Sequence, residues 1–303
     1  MSRRVSAIDI GSNAIRMMVA EKSPSGQSLH VLKRLRAAVR LGHDVFTAGH
    51  ITPPTMDAAI ATFNHYARVN KELGVSNCRA IATSACREAK NSADFIAKVF
   101  EKSGIRIEVI DGKIEGEMIH QAVRRELDLE HKKTMLIDIG GGSVEISFSF
   151  GNKLLTTRSF PLGTVRLLEI LTKRNLTEQH LNILMGECIT QIGEYILENS
   201  KHGDIDFAIG TGGNLECLGK LKGQLLDRSP HSFLSLTEIT IIIEKLRALN
   251  LKERIEKLKL RTDRADVILP ASMLVQLIMR QSECEKIMIP YVGLRDGIIW
   301  SML

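Results

Sequence analysis

The sequence predicts an α/β protein made of two related domains, and three observations carry that prediction. An apolar segment with an aspartate inside it, a glycine turn and a second apolar segment open the chain around Asp9 and recur around Asp138. Around the two copies, short strand-like runs alternate with longer stretches of helical periodicity. The composition is globular: of 303 residues, 44% are hydrophobic and 25% charged, which excludes disorder, collagen and a simple coiled coil as descriptions of the whole.

In chain order, residues 5–10 form the first strand, Gly11-Ser12-Asn13 the turn, and residues 14–20 the second strand. Residues 31–40 read as a third strand that Leu41-Gly42 ends. Thr52 caps a helix over 55–73, since proline suits a first turn and Met56, Ile60, Phe63 and Ala67 recur at helical spacing. A strand at 78–83 leaves through the small-residue turn Thr83-Ser84-Ala85-Cys86-Arg87, followed by a helix over 91–102, a strand at 105–110 and a helix over 114–127. The charged connector 124–133 places the domains at 1–124 and 125–303. The second copy runs through a strand at 134–139, the turn Gly140-Gly141-Gly142-Ser143 and a strand at 144–150. Helical segments fill 165–200, and a third glycine turn follows at Gly210-Thr211-Gly212-Gly213-Asn214. Helices at 236–249, 265–279 and 293–302 surround one more strand at 286–290.

Lysine and arginine number 41 against 35 acidic residues, a net charge of +6. That surplus suits an anionic ligand. With 3 Tyr, 1 Trp and no dense basic tract, the chain lacks the platform of a dedicated nucleic-acid binder. Five scattered cysteines without a C-x-x-C pair argue against a disulfide framework or a zinc knuckle and point to a reducing cytoplasm. The start, Met1-Ser2-Arg3-Arg4, runs into a strand without the apolar core of a signal peptide, and no apolar run reaches membrane-spanning length.

Glycine turns leaving buried strands expose successive backbone N–H groups that can close on phosphate oxygens. Asp9 and Asp138 lie inside apolar strands, where a carboxylate is costly to bury without a metal or a donor, so both are candidate Mg²⁺ ligands. A single such aspartate more often caps its own turn; the paired recurrence favours the metal. Alternation puts Glu145 on the face opposite Val144 and Ile146, either toward a cleft or as an ordinary polar side chain. Glu115 and Glu117 open a helix, where spacing alone favours complementarity with the helix dipole. Arg87 either forks onto a phosphate or lies on the surface. Lys33, Arg34, Arg36 and Arg40 form the densest basic run, a solvated edge or an anion-guiding rim. The nine histidines, His120 included, show no metal-ligand spacing.

Six strings together resemble the exopolyphosphatase and guanosine pentaphosphate phosphohydrolase family, within the actin, sugar-kinase and heat-shock-chaperone superfamily. They are Ala7-Ile8-Asp9-Ile10-Gly11-Ser12-Asn13-Ala14-Ile15-Arg16, Ala82-Thr83-Ser84-Ala85-Cys86-Arg87, Leu136-Ile137-Asp138-Ile139-Gly140-Gly141-Gly142-Ser143-Val144-Glu145, Phe160-Pro161-Leu162-Gly163-Thr164-Val165-Arg166, Gly210-Thr211-Gly212-Gly213-Asn214 and Arg264-Ala265-Asp266-Val267-Ile268. The resemblance covers nearly the whole chain and implies two ribonuclease-H-like domains flanking a cleft. It makes Glu115 the catalytic glutamate that orients or deprotonates the attacking water, and makes Asp138 and Glu145 the carboxylates that hold the metal or that water, with Glu145 also counted as catalytic. The implied substrate-binding residues are Ser12, Asn13, Arg16, Arg87, Gly141, Gly142, Ser143, Thr211, Gly212, Gly213 and Asn214. The implied activity is Mg²⁺- or Mn²⁺-dependent release of terminal orthophosphate from inorganic polyphosphate, by a homodimer. Guanosine pentaphosphate hydrolysis, an ATP-binding kinase-like protein and a non-catalytic sensor are the alternatives. Where the family shows Gly-x-Glu-Glu-Ala-Arg, this chain has Gly112-Lys113-Ile114-Glu115-Gly116-Glu117, and it lacks the extra C-terminal helical domains of long members.

Overall fold

Each of the two repeated glycine turns joins the first two strands of a separate sheet. The computed structural model describes residues 3–201 and 204–303. The chain divides into unit 1, Met1–Ala122 with Gly293–Leu303, and unit 2, Val123–Val292.

Unit 1 runs β1 (Val5–Ile10), β2 (Ile15–Lys22), β3 (Leu29–Ala37), α1 (Leu41–Ala48), α2 (Pro53–Glu72), β4 (Asn77–Ala82), α3 (Ser84–Glu88), α4 (Ser92–Ser103), β5 (Ile107–Val109) and α5 (Gly112–Glu126). The sheet order is β3-β2-β1-β4-β5. β1, β2 and β3 are antiparallel neighbours, whereas β4 lies parallel to β1 and β5 parallel to β4. β1 is buried at every position, as befits a central strand covered on both faces. Ile8, Ile10, Ile15 and Met17 pack with Phe63 and Tyr66 of α2 and Phe95 and Val99 of α4, which leaves Asp9 on the other face.

α1 stands where the sequence reading ends a strand. Gly42 resembles a terminator, but its N–H donates to Ser12 O at 2.8 Å, and a Cβ there would lie 2.9 Å from Ser12 Cβ. It is a contact glycine in a helix. Thr52 does not cap α2 with its hydroxyl; it donates to Asp44 Oδ2 at 2.6 Å, while Pro53 and Pro54 occupy the first turn.

Unit 2 contains β6 (Lys133–Ile139), β7 (Val144–Phe150), β8 (Lys153–Phe160), α6 (Thr164–Lys173), α7 (Leu181–Ser200), β9 (Phe207–Thr211), α8 (Gly212–Leu226), β10 (Phe233–Ser235), α9 (Leu236–Arg247), α10 (Leu251–Leu258), α11 (Thr262–Ala265), α12 (Ile268–Gln281) and β11 (Lys286–Met288). The order is β10-β11-β9-β6-β7-β8. β6, β7 and β8 are antiparallel neighbours, β9 lies parallel to β6, and β11 parallel to β9. Apart from β10, strand order and direction repeat those of unit 1, as expected for two ribonuclease-H-like domains. The sequence reading passes over the edge strands β8 and β10 and over α10.

The sequence-expected second domain, 125–303, differs from the structure at both ends. The division falls inside α5, and α13 (Leu294–Trp300) packs with unit 1. Ile298 and Ile299 are buried there, a Cβ at Gly297 would touch the Met118 carbonyl, and Arg79 donates to Ser301 Oγ at 3.1 Å. Among the described residues, no helix is long and apolar enough to cross a membrane.

Candidate active site

In unit 2, Ile137 and Ile139 of β6 and Val144 and Ile146 of β7 face the core, so Asp138 and Glu145 take the other face. The register sets them directly opposite one another. Cβ atoms in such a pair are about 4.5–5.5 Å apart, and like charges so placed repel. The row extends to both sides. Ser159 of β8 stands opposite Glu145 and donates its Oγ to Glu145 Oε1 at 2.7 Å; Thr211 of β9 stands opposite Asp138. Glu145 is only 2% exposed and Thr211 1%, and the Thr211 Oγ1 is buried with no hydrogen-bond partner among the described residues. Gly212, at φ +80°, leaves room for the Asp138 carboxylate: a Cβ would lie 2.2 Å from its Oδ1. Two carboxylates, an unsatisfied buried hydroxyl and a cradle that a Cβ would fill form a hard-oxygen donor set suited to a divalent cation.

The turn beside this pair is shaped by the N-terminus of α6. Thr164 N donates to Gly140 O at 3.1 Å, Val165 N to Gly141 O at 2.8 Å and Arg166 Nε to Gly142 O at 2.9 Å. Because a trans peptide points its C=O and N–H in opposite directions, tying these three carbonyls to α6 turns the N–H groups of Gly141, Gly142 and Ser143 away from it. That geometry cradles an anion. Gly163 makes it possible, since a Cβ there would lie 2.3 Å from backbone atoms of Gly141 and Gly142. Thr211 precedes α8, whose first turn carries Gly212, Gly213 and Asn214. Asn214, expected at the substrate, donates its amide to Ile139 O at 2.7 Å and accepts from Arg264, so its side chain ties α8 and α11 to the end of β6.

Unit 1 places different chemistry in the same row. Asp9 stands opposite Arg16, and the two form an ion pair at 2.6 Å. Asp9, expected to hold metal, therefore already has a counter-charge, and Arg16, expected at the substrate, neutralises it. The Ser12 hydroxyl pairs with Ser84 Oγ at 2.9 Å, joining the turn after β1 to that after β4, and Asn13 Oδ1 accepts from Arg40 Nε at 2.7 Å. Arg87 donates to Ile110 O at 2.6 Å, beside the start of α5. Glu115 lies in the first turn of α5 and is 7% exposed; Asp111 caps that helix, accepting from Ile114 N at 2.8 Å. Burial pushes the Tyr66 hydroxyl up to about 12, so it stays protonated and donates to Ile15 O at 3.1 Å.

The sequence reading missed Ser159 and gave Gly163 and Arg166 no role, and it placed Arg40 in a basic run without its partner Asn13. The strings around Gly163 and Arg166 were visible, but their contact with the glycine turn depends on a return of the chain that no local pattern encodes.

The sequence matches the Ppx/GppA phosphatase family over residues 18–303. It is 26% identical over 300 residues to Exopolyphosphatase 1 of Mycobacterium leprae, covering 98% of this chain and 88% of that protein. The crystal structure of an exopolyphosphatase from Cytophaga hutchinsonii superposes with a TM-score of 0.88 at 25% identity, over 99% of this chain and 97% of that one. The Aquifex aeolicus Ppx/GppA family member gives 0.78 at 26% identity, over 100% and 98%. With the repeated sheet, the paired carboxylates and the anion-cradling turn in place, this agreement over the whole length means that the chain belongs to the Ppx/GppA phosphatase family.

Proposed function

We propose that this phosphatase is an exopolyphosphatase, hydrolysing the terminal phosphoanhydride bond of inorganic polyphosphate to release orthophosphate. The observation that carries the reading is the Asp138–Glu145 pair beside a glycine turn with outward amides, in a chain whose curated relative is named an exopolyphosphatase. Asp138 and Glu145, with Thr211 beside them, hold Mg²⁺, and Mn²⁺ suits the same oxygens. When bound, the metal neutralises charge on the phosphate oxygens. Glu115 accepts the proton of the water whose oxygen attacks the terminal phosphorus, while the bridging oxygen leaves with its electron pair on the shortened chain. The amides of Gly141, Gly142, Ser143, Ser12 and Asn13 and the N-terminal turn of α8, with Gly212 and Gly213, cradle phosphate oxygens, and Arg87 grips one. Resemblance to the family adds a cytoplasmic homodimer, in keeping with five free cysteines.

The test is orthophosphate release from tripolyphosphate, long-chain polyphosphate, guanosine pentaphosphate and ATP in parallel, with wild type and Glu115→Gln. Polyphosphate is the preferred substrate, and Glu115→Gln binds it but turns over about 10²-fold more slowly. Preference for guanosine pentaphosphate, cleavage of ATP alone, or tight binding without any turnover overturns the proposal in favour of the pentaphosphatase, kinase-like or sensor alternative.

A further inference from the structure

The row that holds Asp138, Glu145 and Ser159 in unit 2 holds Asp9, Arg16 and Arg36 in unit 1, because Arg36 on β3 stands directly opposite Arg16. One row carries two negative charges; the other carries two positive and one negative. Leu35 and Ala37 of β3 pack into the unit 1 core, so Arg36 and Arg34 share the opposite face with Arg16, and Arg34 lies opposite Met18. Arg34 is exposed and Arg36 half-buried. At the glycine-turn end, Arg40 reaches Asn13. Guanidinium groups thus run from the turn outward along one face, Arg36 and Arg34 being about 6.6 Å apart along the strand. A planar fork matches phosphate oxygens bidentately, and a linear polyanion can satisfy several forks at once.

We propose that Arg36 and Arg34 form a track for the non-terminal phosphates of polyphosphate, so that β3 selects a chain of linked phosphates over a substrate with few. The inference rests on the exopolyphosphatase reading and adds to it the place where the uncleaved part of the substrate is held. Lys33 supplies the internal control. It carries the same charge on the same strand and is likewise exposed, but it pairs with Val19 beside the register shift of this strand pair, one residue out of step with Arg34 and Arg36. If basic residues of this edge only prevent strand pairing or steer anions through net charge, Lys33 and Arg34 are equivalent.

The experiment measures affinity for tripolyphosphate and long-chain polyphosphate by calorimetry in a Glu115→Gln background, where the ligand is not consumed, with Arg34→Gln and Lys33→Gln added singly. Turnover of long chains is measured in parallel without the Glu115 change. Arg34→Gln lowers long-chain affinity about two- to fivefold, the range of one exposed charge contact, and lowers tripolyphosphate affinity less. Lys33→Gln leaves both unchanged. Equal losses in the two variants, or equal losses on short and long chains, overturn the track. The exopolyphosphatase reading fails separately, by absence of orthophosphate release from the parent, and absence of polyphosphate binding by the parent overturns both.

Discussion

Replacing Gly212 with alanine separates the role of the Asp138 cradle from that of backbone strain. Two penalties coincide at this position. The residue has φ +80°, where an L side chain costs about 1–2 kcal/mol. Its new Cβ would also lie 2.2 Å from Asp138 Oδ1, whereas ordinary contact begins at 3.4 Å, so the carboxylate must retreat by the difference, 3.4 − 2.2 = 1.2 Å. Gly74 isolates the first penalty, having φ +62° and nothing within 4 Å of an added Cβ. Urea unfolding of Gly74→Ala should show a loss of about 1–2 kcal/mol with normal turnover. Gly212→Ala should show at least that loss and also a fall in orthophosphate release of about 10²-fold, the scale set by an ångström of misplacement at a reacting centre. Normal turnover in Gly212→Ala at saturating Mg²⁺ would refute the claim that Asp138 must stand where the structure puts it.

Three further outcomes follow from the same packing. Gly163→Ala pushes a Cβ into the backbone of Gly141 and Gly142, which cannot rotate away as a side chain can, so phosphate affinity falls in a direct binding assay even where circular dichroism stays native. Burial raises the Asp44 carboxyl, but hydrogen bonds from the Thr52 hydroxyl and amide outweigh it and hold the group below its ordinary 3.8. Because the folded value is the lower one, this stabilisation is present above that ordinary value and lost as pH falls through the folded value; Asp44→Asn removes about 1.5–3 kcal/mol at pH 7 and flattens urea stability below about pH 4. Lys222, 1% exposed, pairs with Glu238 at 3.2 Å, and Glu238→Gln costs about 3–5 kcal/mol by leaving that ammonium buried. Calorimetry of Glu238→Gln and of the double variant Lys222→Met/Glu238→Gln checks this, since the double variant regains most of the loss.

The two sheets were legible because an aspartate between isoleucines before a glycine turn is a costly arrangement, and Asp9 and Asp138 show it twice. The outcome at each site was also legible in part: a four-residue turn between Ile10 and Ile15 fixes the hairpin register, which sets Asp9 against Arg16 and Asp138 against Glu145. Read alone, the two aspartates look alike; read with their cross-strand partners, Asp9 has a counter-charge in Arg16 and Asp138 faces a second carboxylate. What stayed hidden depends on distant chain. Gly42 and Gly163 look like helix breakers until the turns at Ser12 and Gly141 are packed against them. The contacts of the Asn214 amide with Ile139 and Arg264 join segments far apart in the chain. The return of α13 to the first sheet follows from the fit of Gly297 on Met118, which no periodicity reveals.

In the proposed activity, a divalent cation held by Asp138 and Glu145 is needed to cleave polyphosphate. The most direct test of that need is orthophosphate release from polyphosphate across a Mg²⁺ titration, with a chelator as the zero point, for wild type and Glu145→Gln. Wild type should be inactive in chelator and recover with Mg²⁺, while Glu145→Gln stays at least about 10²-fold slower at saturating metal or needs far more of it. Full activity of the wild type in chelator, or an unchanged Mg²⁺ requirement and rate in Glu145→Gln, would contradict the account.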